Sequence, residues 1–265
     1  MSFEQFAHQH GLIINSLIHD KWMRVPTIDK PHSRNGAYIF DGNSGAVQNW
    51  AIHEKPISYK GKHDPQYREK MQAVKDTRAD DNKQAAQRAG WVMHQSHRAT
   101  HPYLASKGFP NVKGSVWNGC LLIPMRIDQA IVGLQMIRED GSKNFLKGQI
   151  TRGAEAILDN KGAHILCEGF ATGLSIKRAL KSQNTRYTVH ICFSAGNIKK
   201  MVEKYPDCVI VADHDPVGIK VAQDSGRPYW VSPNSGEDFN DFEVRVGAEK
   251  AGKSLIALGL SEVVS

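Results

Sequence analysis

Apolar positions change their rhythm along the chain. Up to about residue 62 they come in short runs, 37–40 and 46–50, punctuated by Asn35-Gly36, Asp41-Gly42 and Ser44-Gly45. This pattern predicts a small β-rich module after a short N-terminal helix. From 66 to 98 Ala, Gln, Lys and Arg dominate, with no proline and only Gly90. Helix formers at this density predict a long polar helix or two shorter ones. His101-Pro102 stops it, and 103–107 reads as a short helical turn closed by Gly108. Two apolar runs, 121–127 and 130–138, then predict a hairpin turning at Asp128-Gln129, with Asp140-Gly141 as the next turn.

Beyond 163 strands and helices alternate. Strands are predicted over 164–167, 187–193, 208–212 and 229–231, and helices over 172–181, 197–204, 218–224 and 239–255. Short apolar strands followed by amphipathic helices mean an α/β fold, a parallel sheet covered on both faces. The chain thus divides into a module over 1–62, a helical connector over 63–99 and a third region over 100–265 whose alternating core lies at 160–255.

In such sheets functional residues gather at the carboxyl ends of the strands. Glu168 follows the strand 164–167, and Asp213 and Asp215 follow 209–212. Residues two apart in an extended segment share a side, so Asp213 and Asp215 are expected to face one pocket, with His214 turned away. Clustered carboxylates repel, a bound cation relieves the repulsion, and hard oxygen ligands select Mg²⁺ or Mn²⁺. Each acid also has a plainer reading. Glu168 precedes a helix and complements its dipole, and Asp238 caps the helix beginning at Phe239.

Charge and cysteines narrow the classes. Thirty-four basic and 27 acidic residues leave +7, which suits a polyanionic partner and is also compatible with ordinary surface charge. Hydrophobic residues at 40% suffice for a core. There is no apolar run of about 18 residues and no signal-peptide pattern over 1–10, which predicts a cytosolic protein with no membrane partner. Cys120, Cys167, Cys192 and Cys208 form no C-x-x-C pair and sit beside apolar residues. They read as buried strand thiols, and no structural zinc is expected.

The acidic positions resemble a known domain. Glu168-Gly169, Asp213-His214-Asp215 with Gly218, and Gly236-Glu237-Asp238-Phe239-Asn240-Asp241 look like the TOPRIM domain of DnaG-type primases, topoisomerases and some nucleases. The wording is closest to the primase-like TOPRIM domains of phages and plasmids. Residues 168–175 match their E-G-x-x-T-G-L-S turn, and 212–222 match A-D-x-D-x-x-G-x-x-A with one extra residue before the alanine. Upstream, His101-Pro102-Tyr103-Leu104 through Lys107-Gly108, the hairpin and the basic loop 140–148 are also similar, so the resemblance spans about 100–250.

The resemblance implies metal-dependent nucleotidyl transfer, a DNA primase joining NTPs into short RNA primers on single-stranded DNA. Glu168, Asp213 and Asp215 would be catalytic and hold Mg²⁺ or Mn²⁺, with Asp238 and Asp241 as auxiliary ligands. Arg138, Lys143, Lys147 and Arg152 would hold nucleotide or template. Lys177 and Arg178 either extend the template surface or are a plain helix face. No P-loop is present, so a separate replicative helicase or other replication protein is implied as partner. The module over 1–62 resembles a zinc ribbon without its cysteines. Trp22, Arg24, Arg34 and Trp50, with Lys30 and Tyr38, either stack bases and hold phosphates or form the core of a metal-free module. A TOPRIM nuclease and a non-enzymatic single-strand-binding replication accessory are the alternatives.

Overall fold

The computed structural model describes residues 1–61 and 65–259. The predicted boundary at 62/63 lies outside the described residues. Two compact units result, Met1–Thr77 and Arg78–Ser265.

In the first unit, α1 (Phe3–Gln9) starts at Ser2, whose side chain accepts the Gln5 N–H in a capping box. Strands β1 (Met23–Val25), β2 (Gly36–Phe40), β3 (Gly45–Asn49) and β4 (Ile57–Tyr59) pair antiparallel in that order. So small a module needs a dense core or a staple. Phe3, Leu12, Tyr38, Phe40 and Val47 supply the core, with Phe3 stacked on Phe40 at 4.3 Å between centroids. His10 and His53 meet at 3.0 Å, and the Asn49 side chain donates to the His10 carbonyl.

Helix α2 (Pro65–Gln95) is one long helix. It ends earlier than the composition predicts, because His97–Ala99 leaves it to become strand β5. In the second unit, Ala85, Ala89 and Val92 recur at helical spacing, and Ala89 and Val92 pack with Leu122, Leu134 and Leu146. After α3 (Pro102–Ser106) come β6 (Gly114–Trp117), β7 (Cys120–Ile127), β8 (Ala130–Ile137) and β9 (Lys143–Phe145), and β5 to β9 form an antiparallel meander. The predicted hairpin is β7–β8, with Asp128 in the left-handed region at φ 53° in its turn.

The last sheet holds β10 (Ala156–Asp159), β11 (Ala163–Cys167), β12 (Tyr187–Ile191), β13 (Val209–Ala212) and β14 (Tyr229–Val231), in the order β10-β12-β11-β13-β14. Four strands are parallel, and β10 is an antiparallel edge that the alternating pattern did not predict. Helices α4 (Phe170–Ser182), α5 (Ala195–Lys204) and α6 (Pro216–Asp224) link the parallel strands. The predicted helix 239–255 is two, α7 (Phe239–Val246) and α8 (Ala248–Ile256), broken where Gly247 takes φ 86°. Strand residues alternate between faces. Ile165, Cys167, Val189 and Val211 join a core with α4, α8 and the meander, whereas Leu166, Ile210 and Ala212 pack with α5 and α6. Cys167, Cys192 and Cys208 are buried as expected, and Cys120 is half-buried. Among the described residues, no helix is long and apolar enough to cross a membrane.

Candidate active site

Register brings the acids together. Leu166 pairs with Ile210, and Cys167 with both Val211 and Ile191, so β11 and β12 end level and β13 one residue further on. Glu168 and Asp213 follow directly. The Phe193 N–H donates to the Glu168 carbonyl at 3.0 Å, and Phe193 holds φ 66°, a costly conformation for an aromatic residue. That turn of the backbone ends β12 before the predicted residue 193.

A cleft of about 420 Å³ opens at this point, between the ends of β11 and β13 and the segment carrying α3. Five acids line it (Glu139, Asp140, Glu168, Asp213 and Asp238) with two cations, Lys107 and Lys143. Gly169, the N-cap of α4, offers no side-chain cap, so the positive end of that helix adjoins the acids. Glu168 titrates higher than an ordinary carboxylate, first because it is buried and then because Asp215 is near; Lys143 and the Ala195 N–H oppose the shift. Asp213 is pushed up to about 7, by burial first and then by the charges of Glu168, Asp238 and Asp215. Its Oδ1 is buried without a hydrogen-bond partner.

The other predicted acids separate. Asp215 is exposed and caps α6, accepting the Gly218 N–H at 2.6 Å. It does not line the cleft beside Asp213, although its charge is felt there. The reason is local: the Asp215 N–H folds back onto the Asp213 carbonyl at 2.8 Å, so the segment is a tight turn and not an extended strand. Gly218 is required here, because a Cβ would stand 2.6 Å from the Asp213 carbonyl oxygen. His214 is bonded to the Ser232 carbonyl at 2.7 Å. Asp238 both lines the cleft and caps α7 through the Asp241 N–H at 2.8 Å. Asp241 lies outside the lining and pairs with Lys107 at 3.5 Å. Glu237 is held down to about 2, chiefly by Arg245.

Of the four basic residues predicted to hold nucleotide or template, Lys143, the first of β9, lines the cleft; Arg138, Lys147 and Arg152 are exposed and do not line it. Arg152 precedes Gly153, whose N–H donates to the buried Asn197 side chain at 2.6 Å. Arg178 is structural. It forms an ion pair with the buried Glu243, donates to the Gly108 carbonyl at 2.8 Å and stacks over Phe109. In the first unit Trp22 and Trp50 are exposed, and Arg24 lies over Trp50 at 3.9 Å while donating to the Arg34 carbonyl. Tyr38 is fully buried, which assigns it to the core and removes it from the surface aromatics.

Sequence reasoning assigned no role to Tyr103, Ser106 or Lys107, which form one wall of the cleft. Tyr103 is pushed up to about 12 by burial and by Asp238. Asn240 holds this wall in place, its side chain donating to the Lys107 carbonyl and to Ser175 Oγ, both at 2.9 Å. The only signal was the resemblance of 101–108, which carried no indication of contact with α7.

The donor set fits a hard divalent ion. An orphaned carboxylate oxygen among mutually repelling acids is a site in deficit of positive charge. Among the described residues, no three His, Cys, Asp or Glu side chains stand close enough to enclose an ion alone. Magnesium usually takes one or two carboxylates and completes its shell with water and substrate phosphates.

Comparison with known proteins bears on the sheet. Residues 163–249 match the family model of the Toprim domain. Among solved structures, the chain is similar to one chain of a complex in which bacteriophage T7 lagging-strand DNA polymerase interacts with primase domains of two gp4 subunits, at 14% identity over 63% of this chain and 93% of that one, TM-score 0.44. The primase fragment of the bacteriophage T7 primase-helicase is similar at 15% identity over 59% and 68%, TM-score 0.40. A DNA primase domain from Pseudomonas aeruginosa is similar at 18% identity over 55% and 52%, TM-score 0.35. On the family match, with Glu168 and Asp213 at the strand ends, this chain carries a Toprim domain over 163–249.

Proposed function

We propose that the chain is a primase-type nucleotidyltransferase that joins NTPs into short RNA primers on single-stranded DNA. One observation carries the reading: Lys143, delivered by the meander, stands within electrostatic reach of both Glu168 and Asp213. An acid pair alone fits cleavage as well as synthesis. A cation brought to the same acids from a separate sheet suits a triphosphate, whose charge must be held while its α-phosphorus is attacked.

In this reading Glu168 and Asp213 hold Mg²⁺ or Mn²⁺, with Asp215 and Asp238 contributing charge around it. When bound, the ion would supply charge neutralisation and orientation for attack of a 3′-hydroxyl on an α-phosphate, with the α–β phosphoanhydride bond breaking and pyrophosphate leaving. Lys143 binds the phosphates of the incoming nucleotide, and Lys107 flanks the same cleft. Glu168, titrating above the usual carboxylate range, is suited to accept the hydroxyl proton. Arg138, Lys147 and Arg152 guide template outside the cleft. Trp22, Trp50, Arg24 and Arg34 offer stacking faces and cations to single-stranded DNA on the first unit. Unwinding falls to a separate replicative helicase, and the protein works in the cytoplasm.

Incubation with labelled NTPs, mixed single-stranded templates and Mg²⁺ or Mn²⁺ tests this. Oligoribonucleotide products are expected. Template shortening without NTPs would make the site a nuclease. Strand binding with neither product would make the protein an accessory.

A further inference from the structure

A second, larger recess lies behind α4. The helix shows Gly169, Ala171 and Thr172 to the acidic cleft, and Phe170, Leu174 and Lys177 to a groove of about 940 Å³. The groove has more than twice the cleft's volume, and none of the five cleft acids lines it. Its other walls are the meander and the edge strand β10, whose Ile157 is 43% exposed.

The charge of this groove is one-sided. Arg98, Lys113, Arg126, Lys161 and Lys177 line it, against two acids, Asp128 and Asp159. Both acids are engaged. Asp128 pairs with Lys204 at 3.4 Å, and Asp159 accepts the Lys161 N–H at 2.7 Å and the Thr188 hydroxyl at 2.9 Å. Arg98 donates to the Lys113 carbonyl and Arg126 to the Gln129 carbonyl at 2.7 Å, so backbone oxygens position both guanidinium groups without neutralising them. Among the described residues, none of the five forms an ion pair. Between the cations lie apolar and ring surfaces: Phe170, Leu174, and His164 stacked on Tyr205 at 4.7 Å.

We propose that this groove binds a single strand of nucleic acid, its phosphates against Arg98, Lys113, Arg126, Lys161 and Lys177 and its bases over the apolar floor. A majority of cations at intervals around ring surfaces, with Lys161 in reach of an acid, Asp159, is what a strand requires, because phosphate contacts release counterions and every base has a stacking face. An acidic peptide would use the cations but gain little from the rings. The proposal rests on the polynucleotide reading of the Toprim cleft and adds a path for the strand on the far side of α4.

The test reads binding and needs no synthesis. A fluorescent mixed-sequence single strand of about 12 nucleotides is titrated with the full chain by anisotropy, without NTPs. The groove pair Lys113→Glu/Lys177→Glu is compared with a control pair of equal charge, Lys199→Glu/Lys250→Glu; all four lysines are exposed. The groove pair should raise Kd at least ~10-fold at about 0.1 M salt and reduce the salt slope by about 1.4, with the control within ~2-fold. Equal losses in both pairs, or no loss in the groove pair, would overturn the proposal. So would displacement of the strand by polyglutamate as readily as by unlabelled strand, which would make the groove an acidic-peptide site. If wild type makes no primers yet the groove pair alone loses binding, the groove stands and synthesis falls. If primers form while both pairs bind alike, synthesis stands and the groove falls.

Discussion

Asp213 holds one carboxylate oxygen buried without a partner, and its proton is retained up to about pH 7. A carboxyl whose folded-state pKa lies above its ordinary 3.8 resists ionisation in the fold. Without metal, therefore, its contribution to stability falls as pH rises from about 4 through about 7. Asp213→Asn removes that penalty. The metal-free variant should melt about 2–6 °C above wild type near neutral pH and show less of this pH dependence. Divalent metal should raise the melting temperature of wild type and leave the variant unmoved. Metal binding itself should tighten with pH up to about 7 and then level off, because Asp213 must lose its proton to bind. Calorimetric titration with Mn²⁺ at several pH values measures this; affinity indifferent to pH would remove Asp213 from the site.

The placement of Glu168 and Asp213 was legible because a strand end fixes it: Glu168 follows β11 and Asp213 follows β13 whatever surrounds them. Asp215 was read two residues along an extended segment, whereas a backbone turn to the Asp213 carbonyl sends it to cap α6. Lys107 was not legible as a wall of the cleft. Its carbonyl is held by Asn240, 133 residues away, and no local pattern encodes a contact of that range.

At the scale of elements, α4 is the axis of the Toprim unit, and α7 and α8 lie against it. Glu243 on α7, 2% exposed, is satisfied by Arg178 and Ser175 of α4. Removing one partner from a buried ion pair strands the other. Arg178→Ala should cost about 3–5 kcal/mol in urea unfolding, and Arg178→Ala/Glu243→Gln distinctly less. A double variant as unstable as the single would mean that packing over Phe109, and not charge, is what Arg178 supplies. Gly252 of α8 sits so close that a Cβ would stand 2.5 Å from the Ala179 carbonyl oxygen. Gly252→Ala should cost about 1–3 kcal/mol, and an unchanged midpoint would deny the close approach of α8 to α4.

Most of these elements follow from period and punctuation alone. The short strands β5, β6, β9 and β10 and the break at Gly247 do not, and two of these cases show why. β10 is four residues long, and only its antiparallel pairing with β12 makes it a strand. The break at Gly247 interrupts an apolar pattern that continues through both helices, and a single glycine inside a helical pattern is not by itself a stop signal.

For the whole molecule, +7 hides an uneven distribution. The cleft carries five acids against two cations, while the groove behind α4 carries five cations against two engaged acids. A polyanion is therefore repelled from the cleft until metal arrives and attracted to the groove at all times. Strand binding should accordingly persist in EDTA, whereas NTP binding should require Mg²⁺ or Mn²⁺. Equal NTP affinity with and without metal would contradict this division.

The central claim is that Glu168 and Asp213 form a metal site for joining nucleotides. Its most direct measurement is oligoribonucleotide synthesis from labelled NTPs on single-stranded DNA with Mg²⁺ or Mn²⁺, wild type beside Asp213→Asn. Products are expected from wild type, with a loss of at least ~100-fold in the variant while its fold stays intact by circular dichroism. Equal synthesis by both proteins, or no synthesis by wild type across varied templates while metal and NTP still bind, would contradict it.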